Sequence, residues 1–544
     1  MSECITDIAL CIDTILDRTA TLYPQRVCAI DDGRTIVAAQ AAYESRRLAQ
    51  LLLAEGVKPG DSVVFASPNT VYHFFFLVAC ARIGAAFSPI STSLTPHEMK
   101  NLIHAIQPKV VVASVEVARY GVFDSQGDVR FFVLDDSSHV SLLSHALKNG
   151  YIGLSGAVNQ FDGMFSSLEM THEQKEECPL LLFTVAGEAS SPHIIPVTHS
   201  QLWWAGRNMR DEEPYNAYDV FLAIEDLATS VGLNAMVIDM FVTGVTVVIA
   251  RDSSAHEALK LIDKYSPTIL CASTYFYREL ISSHASHPSL SSIRISYIVG
   301  LGGAQGLISS MMRTRLNPQI LFLPSIVPGA LSSVNHQNIK GCTTSCLGYS
   351  MPYVKTRVVD ESGSDVAPGE SGELLVSGPC ISQTYWESDF YTDEYVEGAW
   401  LRTGYIVENV DNSFVFSAFV PHTVVSGNRR IDVREIEHVV AQHPKIKEVA
   451  IAPVKDESLG FILIAAIVCE RDDLPTIEEL HSFCAGYIAD YKIPRLLIAL
   501  PYIPVNAAGA TDYRKISALA SSSAVPEPVS APITQTIPII RTNT

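Results

Sequence analysis

The chain has 544 residues, of which 48% are hydrophobic, and a formal net charge of -20 with only 38 Lys and Arg residues. A chain of this length and apolar content is expected to bury a large core and to divide into two or more domains. The strong negative charge excludes nucleic acid as the expected partner, because nucleic-acid affinity depends mainly on neutralising phosphates, and it disfavours anionic membrane surfaces.

The N-terminal part alternates predicted helices with short apolar strands. Residues 11–55 predict a helix, a short strand near 26–31 and a second helix. The segment GVKPGDSVVFASPNT then predicts a turn, a buried strand and a loop that starts a helix over 71–83, and the alternation continues through AAFSPIS and PKVVVAS. Strands that are joined through helices form a largely parallel sheet, so the sequence indicates an α/β fold.

Two histidines follow in the segment LLLFTVAGEASSPHIIPVTHS. This segment predicts a strand over 180–184 and then a loop over 185–193 that ends at His193. Imidazole is the side chain best suited to proton transfer at neutral pH. His199, near the end of the segment, is more typical of a structural histidine.

Glu225 and Asp226 are residue types that cap a following helix. They precede the run VGLNAMVIDMFVTGVTVVIA at 231–250, which is the nearest approach to a membrane span. An Asn and an Asp lie inside that run and a Gly interrupts it, so the run predicts a buried helix followed by a buried strand.

No targeting segment is recognised. The N-terminus is acidic and lacks the basic start and long apolar run of a signal peptide, and the C-terminal RTNT is not a peroxisomal tripeptide. The 11 Cys residues are odd in number and match no metal spacing, which predicts reduced thiols and no metal site. We therefore expect a cytoplasmic protein without a membrane span.

Residues 398–437 predict the junction between a large domain and a small one. A Trp-Leu-Arg-Thr-Gly segment leads to an acidic turn, an apolar strand and a Gly-containing loop that opens a helix. The predicted organisation is a large N-terminal domain over 1–418, a small cap domain over 419–519, and a Ser-, Pro- and Thr-rich disordered tail over 520–544.

The segments GVKPGD, PNT, ARIGAAFSPI and LTPHEM, followed much later by PGESGELLVSGPCISQTYW and YKIP, resemble the adenylate-forming superfamily in order and spacing. This superfamily includes acyl-CoA synthetases, luciferases and peptide-synthetase adenylation domains. The resemblance implies a large N-terminal domain of mainly parallel sheets and helices with a small barrel-like subdomain. A small α+β C-terminal cap domain is expected to follow it.

The resemblance also implies a nucleotide site. Gly302, Gly303 and Ala304 fall where the family places backbone beside the adenine, and Tyr405 falls where it places an Asp that binds the ribose. Other family positions with polar or charged side chains are occupied differently in this chain: His193 for the phosphate-loop Lys, Gly329 for the magnesium-binding Glu, Phe419 for an Arg, Pro421 and His422 for the hinge Lys and acidic residue, and Ala510 for the catalytic Lys.

These replacements affect the prediction of which cofactors the protein binds. A hydrogen bond to a charged group contributes about 1.5–3 kcal/mol, so losing several of them together would weaken ATP binding by the family's usual contacts. The sequence therefore predicts that no cofactor is required, with ATP–magnesium and CoA both doubtful.

Three functions remain open. The favoured one is an acyl-CoA synthetase-like protein that acts on an acyl or carboxylate-containing small molecule in specialised metabolism by ATP-independent chemistry. Its acid–base candidates are His193, Glu225, Asp226 and His422, and its partners would be the small molecule and other enzymes of a biosynthetic pathway. The alternatives are a divergent ATP-dependent acyl-CoA ligase and a non-catalytic binding or scaffold protein.

Overall fold

The fold is taken from a computed structural model of the chain. The residues that the structure describes are 11–120, 129–135, 140–165, 168, 178–188, 191–212, 216–229, 232, 244–284, 287–299, 307, 310–311, 313–314, 316, 318–322, 331–333, 346–360, 362–382, 386, 396–420, 422–426, 429–456, 459–469, 474–505, 511–522 and 540–541.

The N-terminal elements alternate between helices and strands: α1 (Ile12–Leu22), β1 (Val27–Asp31), β2 (Arg34–Val37), α2 (Ala38–Ala54), β3 (Ser62–Ala66), α3 (Tyr72–Ile83), β4 (Ala86–Ile90), α4 (Pro96–Ile106), β5 (Val110–Ala113), α5 (Val115–Ala118), β6 (Arg130–Val133), α6 (Val140–Lys148), β7 (Ile152–Gly153), α7 (Leu154–Val158), β8 (Leu181–Glu188), β9 (Ser191–Val197) and α8 (His199–Glu212). The middle elements are richer in strands: β10 (Val220–Ala223), β11 (Thr246–Ile249), α9 (Ala255–Tyr265), β12 (Ile269–Ser273), α10 (Thr274–His284), a 3-10 helix (Pro288–Ser292), β13 (Ile295–Val299), β14 (Pro318–Phe322), β15 (Leu331–Ser333), β16 (Cys346–Ser350), β17 (Lys355–Val359), β18 (Ser371–Ser377), β19 (Val396–Glu397), β20 (Trp400–Val410) and β21 (Ser413–Phe419). The C-terminal elements are β22 (Thr423–Ser426), β23 (Arg429–Asp432), α11 (Val433–Val440), β24 (Ile446–Asp456), β25 (Gly460–Cys469), α12 (Ile477–Cys484), a 3-10 helix (Asp490–Lys492), β26 (Leu496–Ala499), α13 (Tyr513–Ser522) and β27 (Ile540–Arg541).

Local sequence explains where helices begin and end. At the start of α4 the Thr95 side chain accepts a hydrogen bond from the Glu98 backbone N–H at 3.2 Å, and the Glu98 carboxylate accepts from the Thr95 N–H at 2.8 Å. This reciprocal capping box precedes a proline at the first helical position. Helix α3 ends at Gly84, whose φ of 70° lies in the left-handed region that glycine adopts without a steric penalty.

Two sheets form the large domain and confirm the predicted α/β class. One has the strand order β7-β6-β5-β3-β4-β8-β9 and is parallel except for the β8–β9 pair. The larger one is parallel from β11 through β10, β12 and β13 to β14, and β1 joins it parallel to β11. Beyond β14 it continues as antiparallel strands β15, β16, β21, β20, β18 and β17.

The main core joins the facing sides of these two sheets through α2 and α3. Phe65 of β3, Phe74 of α3 and Val247 of β11 all belong to one cluster of buried side chains. A second cluster packs α9 and α10 on the other face of the larger sheet, and a third packs α4 on the other face of the smaller sheet.

The C-terminal part is a small α+β unit. Strands β24, β25, β26 and β27 form its sheet, in which β24 and β25 are antiparallel and the other pairs are parallel. Helices α11 and α12 pack on one face and α13 on the other. The exact domain limits, 1–418 and 419–519, stay a prediction.

The predicted loop over 185–193 is wrong, because this segment forms most of a β-hairpin. Strand β8 continues to Glu188, and the backbone of Val185 pairs with His193 and that of Glu188 with Ser191. The small residues and the proline suggested a turn, but pairing between the two strands satisfies their backbone groups. The hairpin contacts strand β23 of the C-terminal unit.

Two other predictions concern segments that the structure describes in part. The buried strand predicted at the end of 231–250 is confirmed as β11, whose Val247 and Val248 are buried, while residues 233–243 lie outside the described residues. Within the described part of the chain, no helix is long and apolar enough to cross a membrane. In the tail predicted to be disordered, α13 runs to Ser522 and β27 pairs with β26.

Candidate functional site

The loops at the carboxyl ends of strands from both sheets meet at Asn69. Its side-chain amide donates to the backbone oxygens of Glu225 at 2.9 Å and Ala250 at 3.1 Å, and its oxygen accepts from the Leu227 N–H at 2.8 Å. The loop after β3 is thereby tied to the loops after β10 and β11. Crevices outside the carboxyl ends of parallel strands are the usual ligand sites of open α/β sheets.

A second tie connects the same loop to β1. The Asp31 carboxylate accepts from the Thr70 hydroxyl at 2.9 Å and from the Val71 N–H at 3.0 Å. The neighbouring His73 is fully buried, and its Nδ1 lies 3.1 Å from the Thr70 carbonyl. Burial lowers the pKa of His73 to about 4, although Asp31 and Asp226 act in the opposite direction. The ring is therefore neutral at pH 7.

Glu225 and Asp226 lie in the loop after β10, beside the backbone groups that Asn69 holds. Glu225 Oε1 accepts from the Ser273 N–H, at the end of β12, at 2.8 Å, and Asp226 accepts a hydrogen bond from the Ser91 hydroxyl, directly after β4. Burial and the neighbouring Asp226 raise the pKa of Glu225, although its hydrogen bond with Ser273 and the charge of Arg429 oppose the rise. Glu225 therefore binds a proton more readily than an exposed glutamate does, which suits a group that holds a proton beside a substrate.

The alternative prediction, that these two residues cap a helix, is supported only by one short-range hydrogen bond. Asp226 Oδ1 accepts from the Ala228 N–H at 2.9 Å, but the residues that follow to Thr229 form a turn, not a helix.

The C-terminal unit contributes Arg429 to the same group. Its Nη1 donates to the Ser93 hydroxyl at 3.0 Å, its Nη2 lies 3.8 Å from Asp226 Oδ2, and its guanidinium stacks 4.3 Å from the ring centre of Tyr491. The Ser93 hydroxyl lies 2.7 Å from that of Ser91. We call Ser91, Ser93, Glu225, Asp226 and Arg429 the cleft cluster.

Beside the cleft cluster, a buried lysine joins the two parts of the chain. Lys492 Nζ donates to Glu98 Oε1 at 2.8 Å and to both oxygens of Glu435 at 2.8 and 2.9 Å. Burial raises the pKa of Glu435 to about 7 even though Lys492 acts to lower it. Burial alone would lower the pKa of Lys492, but Tyr491, Glu435 and Glu98 raise it, so the lysine stays charged.

His422 lies in a separate network. It has a positive φ of 67°, its Nδ1 lies 3.3 Å from the Tyr513 hydroxyl, and that hydroxyl donates to Glu437 Oε1 at 3.2 Å. Glu437 also accepts from the Ile451 N–H at 2.8 Å, and burial raises its pKa. The structure therefore does not bring His422 into the cleft cluster.

The remaining predicted site residues fall in three places. His193 lies in β9 with its backbone opposite Val185, and its side chain is outside the described part of the structure. Gly302, Gly303 and Ala304 are also outside the described residues. Tyr405 is 2% exposed and packs against Phe416 and Phe419, with ring centres 6.0 and 5.5 Å away.

That aromatic group extends into the C-terminal unit, because the ring centres of Phe419 and Phe461 of β25 are 5.2 Å apart. Tyr405 is therefore a packing residue at the junction.

Sequence reasoning missed Ser91, Ser93, Arg429 and the Lys492 group. The motif segments PNT, LTPHEM and YKIP contain Asn69, Glu98 and Lys492, but the sequence does not show what each of them contacts. Lys492 and Glu98 are 394 positions apart, so no spacing rule could join them.

Comparisons with known proteins agree with this architecture. The model of the AMP-binding enzyme family matches residues 16–386, and that of the AMP-binding enzyme C-terminal domain matches 435–510. An indoleacetate–CoA ligase of Aromatoleum aromaticum is 24% identical over 498 residues, which cover 91% of this chain and 95% of that protein.

Solved structures show the same fold. The amide bond synthetase McbA from Marinactinospora thermotolerans has a TM-score of 0.81 at 18% identity, over 94% of this chain and 99% of that one. The o-succinylbenzoate CoA synthetase of Bacillus subtilis in complex with AMP has a TM-score of 0.65 at 18% identity, over 92% and 97% of the two chains.

These findings overturn the prediction that no cofactor is required. The matched family is one of AMP-binding enzymes, the indoleacetate relative is a CoA ligase, and the Bacillus subtilis structure contains AMP. The prediction was wrong because it argued only from replaced side chains, whereas the family models match both the large part and the C-terminal part of the chain.

Proposed function

Because the chain belongs to the AMP-binding enzyme family, we propose that it is an ATP-dependent ligase that activates a small carboxylic acid and transfers the acyl group to CoA or another nucleophile. In the first step a carboxylate oxygen attacks the α-phosphorus of ATP and pyrophosphate leaves. In the second step the nucleophile attacks the acyl carbon and AMP leaves.

The observation that carries this proposal is the cleft cluster. Asp226 and Ser91 come from the carboxyl ends of strands in different sheets, and Arg429 reaches them from the C-terminal unit. A ligand held there would contact both parts of the chain. Such a position suits a reaction in which two substrates must be brought together and water kept away.

Arg429 is the candidate for binding an anionic group. A guanidinium presents planar donors that match a carboxylate or a phosphate, and the 3.8 Å separation from Asp226 leaves that pair without a close hydrogen bond. Glu225, with its raised pKa, is the candidate for holding a proton beside the acyl group.

The nucleotide needs contacts other than the one that the resemblance assigns to residue 405. Tyr405 is buried among phenylalanines and offers no carboxylate to ribose hydroxyls. The cleft cluster contains hydroxyl, carboxyl and guanidinium groups that can bind hydroxyl and phosphate groups. We therefore expect weaker nucleotide binding than a ribose-binding carboxylate would give.

The test is pyrophosphate exchange with ATP–magnesium against a panel of aromatic and aliphatic acids, followed by chromatographic detection of the CoA thioester. We expect exchange with at least one acid. Arg429→Met should reduce kcat/KM by about 10- to 100-fold, which is the effect of losing one charged hydrogen bond of about 1.5–3 kcal/mol. The matched control is Arg357→Met. Arg357 pairs with Asp365 in the antiparallel region and is not part of the cleft cluster.

A second candidate is favoured by the aromatic packing around Tyr405. A protein that binds the acid without activating it would show a rise in melting temperature with the acid but no exchange. Absence of exchange with every acid, whether or not the acids raise the melting temperature, would refute the ligase proposal. The role in specialised metabolism and the partnership with other pathway enzymes stay predictions.

A further inference from the structure

Three metal-binding side chains from distant parts of the sequence meet beside the N-terminal helix. Cys11 is the N-cap of α1, Asp13 lies in its first turn, and His199 is the first residue of α8. One ligand atom of each lies within 4.8 Å of the other two. The side chains are buried, with 2%, 0% and 5% of their surface exposed.

We propose that Cys11, Asp13 and His199 bind a zinc ion that fastens α1 to α8. Sulfur, imidazole nitrogen and carboxylate oxygen are the three donor types of zinc sites, at metal distances of about 2.0–2.3 Å. Tetrahedral donors at those distances lie roughly 3.3–3.8 Å apart, so the trio needs side-chain adjustments of about 1 Å to close on an ion. A water molecule would complete the tetrahedron.

The donor types select the metal. Calcium and magnesium prefer oxygen ligands, whereas the thiolate and the imidazole here favour zinc among the common divalent ions. The charges agree with this choice, because an ionised thiol and a carboxylate in a buried place are stabilised by a cation. The N-terminus of α1 also favours negatively charged donors at its first residues.

Burial separates this trio from a catalytic Cys-His-Asp arrangement. A thiol that attacks a substrate must be reachable, and Cys11 is 2% exposed. Ile12 and Leu16 of α1 and Leu202 of α8 belong to the main core, so an ion here would reinforce packing that already exists. The sequence predicted no metal site because Cys11 and His199 are too far apart in the chain for any spacing rule.

The proposal is independent of the ligase activity and is tested without it. The full chain, purified from zinc-supplemented culture, is expected to contain one equivalent of zinc by elemental mass spectrometry. Apo protein titrated with Co²⁺ should develop a thiolate-to-cobalt absorption band that saturates at one equivalent. This second measurement needs no variant, so it decides the matter even if a substitution prevents folding.

Variants identify the ligands. Cys11→Ser should lower zinc affinity by at least about tenfold and abolish the thiolate band, since even residues that only support a ligand contribute about 10- to 100-fold. The control is Cys28→Ser, which alters a buried cysteine of the main core outside the trio and should retain full zinc content and the band. A chelator should lower the melting temperature of wild type and of Cys28→Ser, and should leave Cys11→Ser unchanged.

Two results would overturn the proposal. The first is a folded wild-type protein that contains no zinc, even after zinc is added to the apo protein, and that gives no thiolate band with Co²⁺. The second is Cys11→Ser protein that keeps its zinc. Either would mean that Cys11, Asp13 and His199 do not hold a zinc ion together.

Discussion

Replacing Lys492 with methionine should strongly destabilise the C-terminal unit. The substitution removes three charge-assisted hydrogen bonds and leaves the carboxylates of Glu98 and Glu435, whose side chains are 6% and 2% exposed, without their shared cation. Removing one partner of a buried ion pair costs about 3–5 kcal/mol. We expect a loss of that size in the free energy of unfolding, measured by urea denaturation and by hydrogen exchange of the C-terminal unit.

Lys445→Met is the control. Lys445 pairs with Glu479 at 3.1 Å, but these side chains are 29% and 48% exposed, and exposed pairs contribute about 0–1 kcal/mol. A second comparison adds Glu98→Gln and Glu435→Gln to Lys492→Met, which removes the buried negative charges and should recover most of the lost stability.

The Lys492→Met defect should also depend on pH. Burial raises the pKa of Glu435 to about 7 with the lysine present, and losing that lysine removes a contribution that lowers it. A carboxyl group with a raised pKa binds its proton more tightly in the folded state, so stability is present below the unfolded-state pKa and is lost as pH rises. The defect should be smallest near pH 4.5 and grow above it. A loss under 1 kcal/mol at pH 8, or one equal at both pH values, would refute this account.

Three further predictions concern the cleft and the junction. Asn69→Ala should lower the free energy of unfolding by about 3 kcal/mol in urea denaturation, because two buried backbone groups and one partly buried one lose their partner, at about 1–3 kcal/mol for each buried group with partial relaxation; an unchanged midpoint would contradict this. Tyr405→Asp should lower the melting temperature markedly because it buries a carboxylate beside Phe416 and Phe419, whereas Tyr405→Phe should stay within about 1 kcal/mol of wild type; equal melting curves would count against the packing role. Arg429→Met should change the free energy of unfolding by under about 1 kcal/mol, because Arg429 and Asp226 are 28% and 27% exposed and lie 3.8 Å apart; a larger loss would show that Arg429 stabilises the fold and would count against a role confined to ligand binding.

The sequence by itself determined the fold class and most of the large-domain architecture. Apolar strands that alternate with helices leave few arrangements other than a layered, mainly parallel sheet, and the predicted helix over 71–83 and buried strand at the end of 231–250 appear where expected. These features are local, since each depends on the periodicity of a short segment.

The tertiary structure alone decided which side chains meet. It placed Asp226 with Ser91 and Arg429, moved His422 into a network with Tyr513, and turned the predicted loop before His193 into a hairpin. Such contacts join residues that are far apart in the chain, and their formation depends on how whole sheets and domains pack. A sequence pattern indicates on which face of a helix or strand a side chain lies. It does not indicate which residues of another element pack against that face.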